Sequence, residues 1–126
     1  MEIEGIDHFV ITTGDLAACL DFYGKLLGLP IDAKNGRYAI RLGAQKINIH
    51  TRPGEFQPAA AKPASGTQDF CLTVRGDIYA IRDDLVSRGA DVTLGPVLRH
   101  GARGEMDSIY LRDPDGNLVE LAVYRN

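Results

Sequence analysis

Asp7-His8-Phe9-Val10-Ile11-Thr12 recurs later in the chain as Gln68-Asp69-Phe70-Cys71-Leu72-Thr73, and this repeated stretch decides the fold. In both copies, large apolar residues occupy alternate positions, which is the period of a strand with one buried face. Each copy is followed by a helix-like pattern, and each helix is followed by short strands. The 126-residue sequence therefore predicts two copies of one βαβββ unit.

The two predicted helices have matching start and stop signals. The first runs from Asp15, a good N-cap residue, to Gly28, and the second runs from Asp77 to Gly89. Apolar residues at helical spacing give each helix one stripe to bury. Each helix is therefore expected to cover the apolar face of the strands in its own unit.

The boundary between the copies is a segment rich in proline, glycine and alanine. Its composition interrupts both helix and strand patterns, which is typical of a linker. The sequence thus predicts a first module over 1–52, a linker over 53–66 and a second module over 67–126, together forming one domain.

Four ionisable residues occupy the face of the predicted strands that points away from the helices: His8, His50, Asp69 and Glu120. In the repeat, His8 is aligned with Asp69, and His50 is aligned with Glu120. Burying these groups without partners would cost several kcal/mol each. Two imidazoles and two carboxylates in one concavity suit a divalent cation, so the sequence predicts a metal site.

The bulk composition excludes several functional classes. A net charge of -3 gives no basis for binding nucleic acid, and no apolar run approaches the roughly 20 residues that span a bilayer. The acidic N-terminus lacks the features of a signal peptide. Two cysteines are too few for a disulfide framework, so we expect reduced thiols and a cytoplasmic location.

A turn followed by a Glu-bearing strand, Arg112-Asp113-Pro114-Asp115-Gly116-Asn117-Leu118-Val119-Glu120, resembles the signature of the vicinal-oxygen-chelate superfamily. This superfamily includes glyoxalase I, extradiol dioxygenases and bleomycin-binding proteins. The stretches Gln45–His50, Phe56–Ala60, Gly95–Val97 and Ser108–Pro114 resemble more closely the branch of glyoxalase-domain-containing protein 5 and its bacterial virulence-associated relatives.

This resemblance implies an α+β fold in which tandem βαβββ repeats form an incomplete, cupped mixed sheet around a central metal pocket. Glyoxalase I offers its ligands in the order His, Glu, His, Glu, whereas the order here is His8, His50, Asp69, Glu120. Because Asp is short, we expect His8, His50 and Glu120 to hold the metal. Asp69 then acts as the mobile base or orients a ligand, and the resemblance also implies a homodimer.

Three functions remain open at this point. The first is a glyoxalase-like lyase or isomerase in which Glu120 and Asp69 are the catalytic carboxylates and an α-ketoaldehyde or its thiol adduct is the substrate. The second is an Fe(II) extradiol-type dioxygenase, and the third is a non-catalytic protein that binds a drug or antibiotic. Zn, Ni, Co, Mn and Fe all accept mixed nitrogen and oxygen ligands, so the metal is left open.

Strand parity places Ser108 and Tyr110 on the ligand-bearing face, where they are candidate substrate-binding residues. Arg99 and Arg103 lie in a basic, glycine-bearing segment that is predicted as a loop. This loop is either a flap that meets an anionic substrate or a solvated connection. The Asp113–Asn117 turn is expected to be structural.

Overall fold

The computed structural model describes all 126 residues, which form two compact units, Met1–Thr67 and Gln68–Asn126. Each unit contains one helical segment and one open four-stranded mixed sheet. The predicted α+β class with tandem βαβββ repeats is confirmed. The segment 53–66, predicted as a linker, contains no helix or strand and lies within the first unit.

The first unit builds its sheet in the order β1-β4-β3-β2. Strands β1 and β4 are parallel, and the other neighbours are antiparallel. The elements are β1 (His8–Thr12), α1 (Leu16–Leu20), a π-helical segment (Asp21–Leu26), β2 (Ile31–Lys34), β3 (Arg37–Leu42) and β4 (Gln45–His50).

Helix α1 begins where the sequence predicted. The Asp15 side chain accepts a hydrogen bond from the Ala18 N–H at 3.1 Å, and Gly28 follows the helical segment with a φ of 72°. The prediction of a regular α-helix is nevertheless wrong for the second half of this segment, which is π-helical. The Leu27 N–H donates to the Phe22 carbonyl five residues earlier, a wider turn than that of an α-helix.

The second unit repeats the plan with the sheet order β5-β8-β7-β6, again with a parallel pair, β5 and β8. The Asp77 carboxylate caps its helix by accepting from the Tyr79 N–H at 3.1 Å. The elements are β5 (Asp69–Thr73), α2 (Ile78–Ser87), β6 (Leu94–Gly101), β7 (Gly104–Arg112) and β8 (Leu118–Tyr124).

The predicted loop that contains Arg99 and Arg103 is instead the end of a β-hairpin. Arg99 lies within β6 opposite Met106, and Gly101 pairs with Gly104, so only two residues connect the strands. The alternating pattern was obscured because glycines interrupt it at both ends of the turn. Neither helix of the structure has the length and apolarity needed to cross a membrane.

Each unit has its own apolar core between sheet and helix. These cores consist of branched aliphatic side chains at the alternating strand positions, with Cys19 and Tyr23 from the first helical segment and Leu85 from α2. The buried branched aliphatic residues of the strands are Ile11, Ile40, Ile47 and Ile49 in the first unit, and Ile109, Leu111, Val119 and Leu121 in the second.

The turn that precedes β8 is held by a buried carboxylate. Asp113 Oδ1 accepts from the N–H groups of Asp115 (3.0 Å) and Asn117 (2.9 Å), and Oδ2 accepts from Asn117 Nδ2 (2.8 Å). Asn117 Oδ1 accepts from the Gln68 N–H at 2.9 Å, which ties the turn to the start of β5. The structural role expected for this turn agrees with this geometry.

The strand register corrects the alignment of the two repeats. Phe9 lies opposite Ile47 in the first unit, and its counterpart Phe70 lies opposite Val119 in the second. The residue matching Glu120 is therefore Asn48, and His50 lies two positions further along β4. The alignment of His50 with Glu120 was wrong because local periodicity fixes the face of a strand but leaves its register free.

Candidate functional site

Glu120 is at the centre of the polar face of the second sheet. It lies on β8, opposite Cys71 of β5 on one side and opposite Tyr110 of β7 on the other. Directly opposed residues of neighbouring strands point to the same face. Thiol, carboxylate and phenol therefore form one row across three strands.

The surroundings of this row favour the protonated forms of its two outer groups, the Cys71 thiol and the Tyr110 hydroxyl. Partial burial, then the charge of Glu120 and hydrogen bonding to it, raise the pKa of the Cys71 thiol to about 11. Cys71 keeps access to solvent, so this enclosure is incomplete. Burial also raises the pKa of the Tyr110 hydroxyl, against a hydrogen bond from Arg99 that lowers it. Neither group is a ready nucleophile at neutral pH.

One oxygen of the central carboxylate lacks a partner. Glu120 Oε2 is buried and receives no hydrogen bond, and the same is true of Ser108 Oγ, two residues from Tyr110 on the same face. Buried polar atoms are normally paired, and an unpaired one loses the free energy of its hydration. Such atoms mark a place where a cation, a proton donor or a ligand would be stabilised.

The two predicted substrate-binding arginines lie at different places. Arg99 Nε donates to the Tyr110 hydroxyl at 2.9 Å, which joins it to the row around Glu120. The Arg103 guanidinium instead lies 4.3 Å from the centre of the Tyr124 ring. Tyr124 pairs with Met106, which lies four residues, or about 13 Å, along β7 from Tyr110.

Asp69 is the first residue of β5 and is exposed. It lies opposite Leu118, so Glu120 is its diagonal neighbour on the same face. Diagonal neighbours have Cα atoms about 7–8 Å apart. The structure thus places the two predicted catalytic carboxylates on one face of one sheet.

His8 has a carboxylate partner that orients its ring. Its Nδ1 lies 2.7 Å from Asp7 Oδ2, and this hydrogen bond lowers the pKa of the Asp7 carboxyl. A carboxylate on one ring nitrogen fixes the imidazole and leaves Nε2 as the donor for a metal. Sequence reasoning missed Asp7 in this role, although it directly precedes His8.

His50 is half-buried against an aromatic side chain of the segment that follows β4. Its ring meets the Phe56 ring edge-on, with 5.2 Å between the centroids. His50 pairs with Thr12 and His8 pairs with Lys46, so the two histidines are four residues apart along parallel strands, or about 13 Å. They share a face of the first sheet but are not neighbours on it.

Each unit offers one atom that suits a divalent metal ion. Nε2 of His8 and the unpaired Oε2 of Glu120 are both atoms that divalent ions accept as ligands. No group of three or more His, Cys, Asp and Glu side chains is arranged to hold an ion. The assignment of His8, His50 and Glu120 to one metal stays a prediction.

Two residues of the first unit, one polar and one aromatic, were not predicted as site residues. Asn48 is half-buried at the position that matches Glu120, and Phe56 packs against His50. The sequence placed Asn48 on the polar face, but a neutral amide gave no reason to select it. The correct register would have identified it.

Comparison with known proteins places this geometry in a family. Residues 5–121 match the model of the Glyoxalase/Bleomycin resistance protein/Dioxygenase superfamily. The chain is 42% identical over 125 residues to "Virulence protein STM3117" of Salmonella typhimurium, covering 98% of this chain and 87% of the relative. It is 40% identical to "Glyoxalase domain-containing protein RDO1" of Mycosarcoma maydis, covering all of this chain and 72% of the relative.

Solved structures agree with the sequence relatives. The crystal structure of the Salmonella typhimurium virulence protein matches with a TM-score of 0.94 and 40% identity, covering 99% of this chain and all of that one. An integron cassette protein of V. cholerae matches with a TM-score of 0.93 and 37% identity, covering 99% of this chain and 98% of that one. A lactoylglutathione lyase from Agrobacterium tumefaciens, at 22% identity and a TM-score of 0.75, shares the fold, covering 98% of this chain and 96% of that one. The chain belongs to the glyoxalase/bleomycin resistance protein/dioxygenase superfamily.

Proposed function

We propose that this protein is a divalent-metal-dependent, glyoxalase-like lyase or isomerase that acts on an α-ketoaldehyde or its thiol adduct. The observation that supports the proposal is the buried Oε2 of Glu120, which has no hydrogen-bond partner. A bound cation would satisfy this oxygen and remove the cost of burying it. We also propose that the protein is a cytoplasmic homodimer, and its two free cysteines are compatible with a reducing compartment.

The proposed metal donors are Nε2 of His8 and a carboxylate oxygen of Glu120, with His50 as a further predicted ligand. When bound, a divalent ion acts as a Lewis acid on two neighbouring oxygens of the substrate. Zn, Ni, Co, Mn and Fe all suit nitrogen and oxygen donors. The carboxylate of Asp7 holds the His8 ring in the orientation that leaves Nε2 available.

The proton transfer is assigned to Asp69. In the proposed reaction its carboxylate takes a proton from one substrate carbon and returns it to the adjacent carbon, which leaves the redox balance of the molecule unchanged. We also assign to Tyr110 and Ser108 the predicted role of donating hydrogen bonds to a substrate oxygen. The hydrogen bond from Arg99 to the Tyr110 oxygen directs the phenol proton away from the guanidinium.

The test measures metal first and turnover second. Metal content of the purified protein is determined by elemental mass spectrometry, and turnover of methylglyoxal is then followed with and without a thiol. We expect Glu120→Gln to weaken metal affinity by about tenfold or more, because it removes a charged donor. Asp69→Asn should keep the metal and lose about 10²–10⁴-fold in kcat. Asp91→Asn, an exposed carboxylate of the same unit, is the matched control.

Two results would contradict the proposal. Wild-type turnover in Asp69→Asn would remove the assigned base, and a failure to bind any added divalent metal would remove the lyase mechanism itself. Iron as the native metal, with oxygen uptake on a catechol, would replace the lyase by the dioxygenase alternative.

A non-catalytic binder of small molecules is the second candidate function. It is favoured by one observation, a cavity of about 740 Å³ on the first sheet, whose volume suits a small molecule. An antibiotic-binding protein from a Streptomyces species, TnmS3, shares the fold at 21% identity and a TM-score of 0.77, covering 99% of each chain. Tight binding of a planar drug by metal-free protein would support this function over the lyase.

A further inference from the structure

The polar face of the first sheet concentrates positive charge in a chain whose net charge is -3. Four cations lie on this face, at alternate positions of strands β2, β3 and β4. We call this set the basic face, and it consists of Lys34, Arg37, Arg41 and Lys46. One carboxylate, Asp32, lies on the same face, and its Oδ2 lies 3.4 Å from Arg41 Nε.

The register places these cations directly opposite one another. Lys34 pairs with Arg37 across the β2–β3 hairpin, and Arg41 pairs with Lys46 across β3 and β4. Like charges directly opposite on a sheet destabilise it. Two such pairs on one small sheet reduce the stability of the folded protein, and a bound anion would remove that repulsion.

Three of the four cations have no ion-pair partner at contact distance. The Asp7 carboxylate, whose pKa is lowered chiefly by His8, is also within reach of the charges of Lys46 and Arg41, which lower it further. No carboxylate lies within 4.0 Å of Lys34, Arg37 or Lys46, whereas Arg41 has Asp32. Lys46 is half-buried, so its charge is screened by solvent less than that of a fully exposed lysine. The electrostatic potential of the basic face is therefore available to a ligand.

A cavity of about 740 Å³ opens on this face, and all of its lining residues belong to the first unit. Lys34, Arg37 and Lys46 line it together with Asp32. Its other functional groups are the half-buried side chains of Asn48 and His50 and the ring of Phe56. The volume is within the range of cavities that hold small molecules.

Phe56 gives the cavity an aromatic wall and packs against the Arg37 guanidinium. The Arg37 guanidinium lies 3.9 Å from the centre of the Phe56 ring, and His50 meets the same ring edge-on. Stacking through the guanidinium face leaves its N–H edge to donate to an anion. The arginine is thus oriented before a ligand arrives, which reduces the entropy lost on binding.

We propose that this cavity binds the anionic group of a small organic molecule, a carboxylate or a phosphate, between Arg37 and Lys46. The Asn48 amide lies on the same face and can donate to the same anion, while Phe56 packs against an apolar or planar part of the molecule. The inference deepens the proposed function and rests on it in one respect, because His50, a predicted metal ligand, also lines the cavity. The tests below measure anion binding without metal or turnover, so this inference and the lyase activity can fail separately.

The first test compares an anion with its neutral isostere. Benzoate, benzamide and inorganic phosphate are titrated into the full-length protein at low salt, and binding is followed by amide chemical shifts. Benzoate or phosphate should bind and shift residues of the cavity, and the affinity should fall as salt is added. Tighter benzoate binding assigns the anion as a carboxylate, and tighter phosphate binding assigns it as a phosphoryl group. Benzamide should not bind.

The second test uses variants that remove one charge each. Lys46→Met and Arg37→Met should each lower the affinity for the anion by about tenfold or more, since each removes a charge-assisted contact. Lys62→Met removes an exposed lysine outside the cavity and should leave the affinity unchanged. The unfolding temperature of each ligand-free variant is measured at low salt as well. Lys46→Met loses both its repulsion with Arg41 and its attraction to Asp7, so it should stay near the wild type.

Several outcomes would overturn the inference. Equal binding of benzamide and benzoate would make the cavity a simple apolar pocket. Wild-type affinity in both charge variants, or no binding of either anion at tens of millimolar, would show that the basic face is ordinary solvated surface. The stability measurement keeps these results interpretable, because it shows whether each variant is folded.

Discussion

Replacing Asp113 by alanine should strongly destabilise the second unit, although the residue lies in a turn. Its carboxylate is only 4% exposed and accepts three hydrogen bonds, two of them from the N–H and the side-chain Nδ2 of Asn117. Asn117 is 1% exposed, so water cannot replace the lost acceptor at these two donors without opening the turn. The effect should therefore be that of breaking a buried polar network.

The magnitude follows from the number of donors left without an acceptor. A hydrogen bond to a charged group contributes about 1.5–3 kcal/mol, and breaking a buried charged network costs about 3–5 kcal/mol. The third donor, the Asp115 N–H, is in a partly exposed region and recovers part of its loss from water. We expect Asp113→Ala to lower the free energy of unfolding by about 3–5 kcal/mol.

Two further variants separate the network from a general effect of removing a charge. Asp113→Asn keeps one carbonyl oxygen but presents an amide to Asn117 Nδ2, so it should lose roughly 1–2 kcal/mol. Asp91→Ala removes an exposed carboxylate and should change stability by less than about 0.5 kcal/mol.

The measurement is urea unfolding followed by far-ultraviolet circular dichroism, together with hydrogen exchange of the Gln68 amide. This amide donates to Asn117 Oδ1, so its exchange should accelerate in Asp113→Ala. A loss no larger than that of Asp91→Ala, or unchanged exchange at Gln68, would refute the account of this turn.

Two other predictions concern backbone strain and acid stability. Gly95→Ala should lower the unfolding free energy by about 2–4 kcal/mol, because the φ of Gly95 is 106° and a Cβ would collide with the Ser108 carbonyl. Gly116 has a φ of 93° but open space around it, so Gly116→Ala should lose only about 1–2 kcal/mol. Equal losses in urea unfolding would contradict this prediction. Asp107 pairs with Arg125 at 2.7 Å, and this contact lowers the pKa of its carboxyl below 3.8 in the folded protein. The ion pair therefore contributes its full stabilisation at any pH above the pKa that Asp107 has in the unfolded protein. This contribution is lost as the pH falls through the pKa of Asp107 in the folded protein. Asp107→Asn should thus be less stable than wild type at neutral pH and equal to it in strong acid. A stability difference that persists in strong acid would contradict the assignment.

The features that sequence predicted well are those fixed by neighbouring residues. Alternation placed the strand at 45–50 within the bounds of β4, and Asp15 and Asp77 were identified as helix caps because a short acceptor side chain suits that position. The buried faces of the strands followed from the same alternation. Each of these signals extends over only a few residues.

The features that the sequence did not predict depend on register and on neighbours across the sheet. Nothing in the sequence separates Arg37 and Arg41 from ordinary surface charges, since their opposite partners Lys34 and Lys46 are defined only once the hairpins are paired. The same uncertainty of register aligned His50, rather than Asn48, with Glu120. Neighbouring residues in the sequence thus determine which face of the sheet a side chain occupies. They do not determine which side chain lies next to it on the adjacent strand.

The parallel pairing of first and last strands in each unit has a consequence for how the chain is synthesised. In β1 and β4, His8 pairs with Lys46, which lies 38 positions later, and in β5 and β8, Asp69 pairs with Leu118, which lies 49 positions later. The entropic free-energy cost of closing these two loops differs by only about 0.2 kcal/mol. The order of emergence from the ribosome, rather than loop length, should therefore decide which sheet forms first. The first sheet has all of its strands once His50 has left the exit tunnel, whereas β5 must wait for nearly the last residues to be translated.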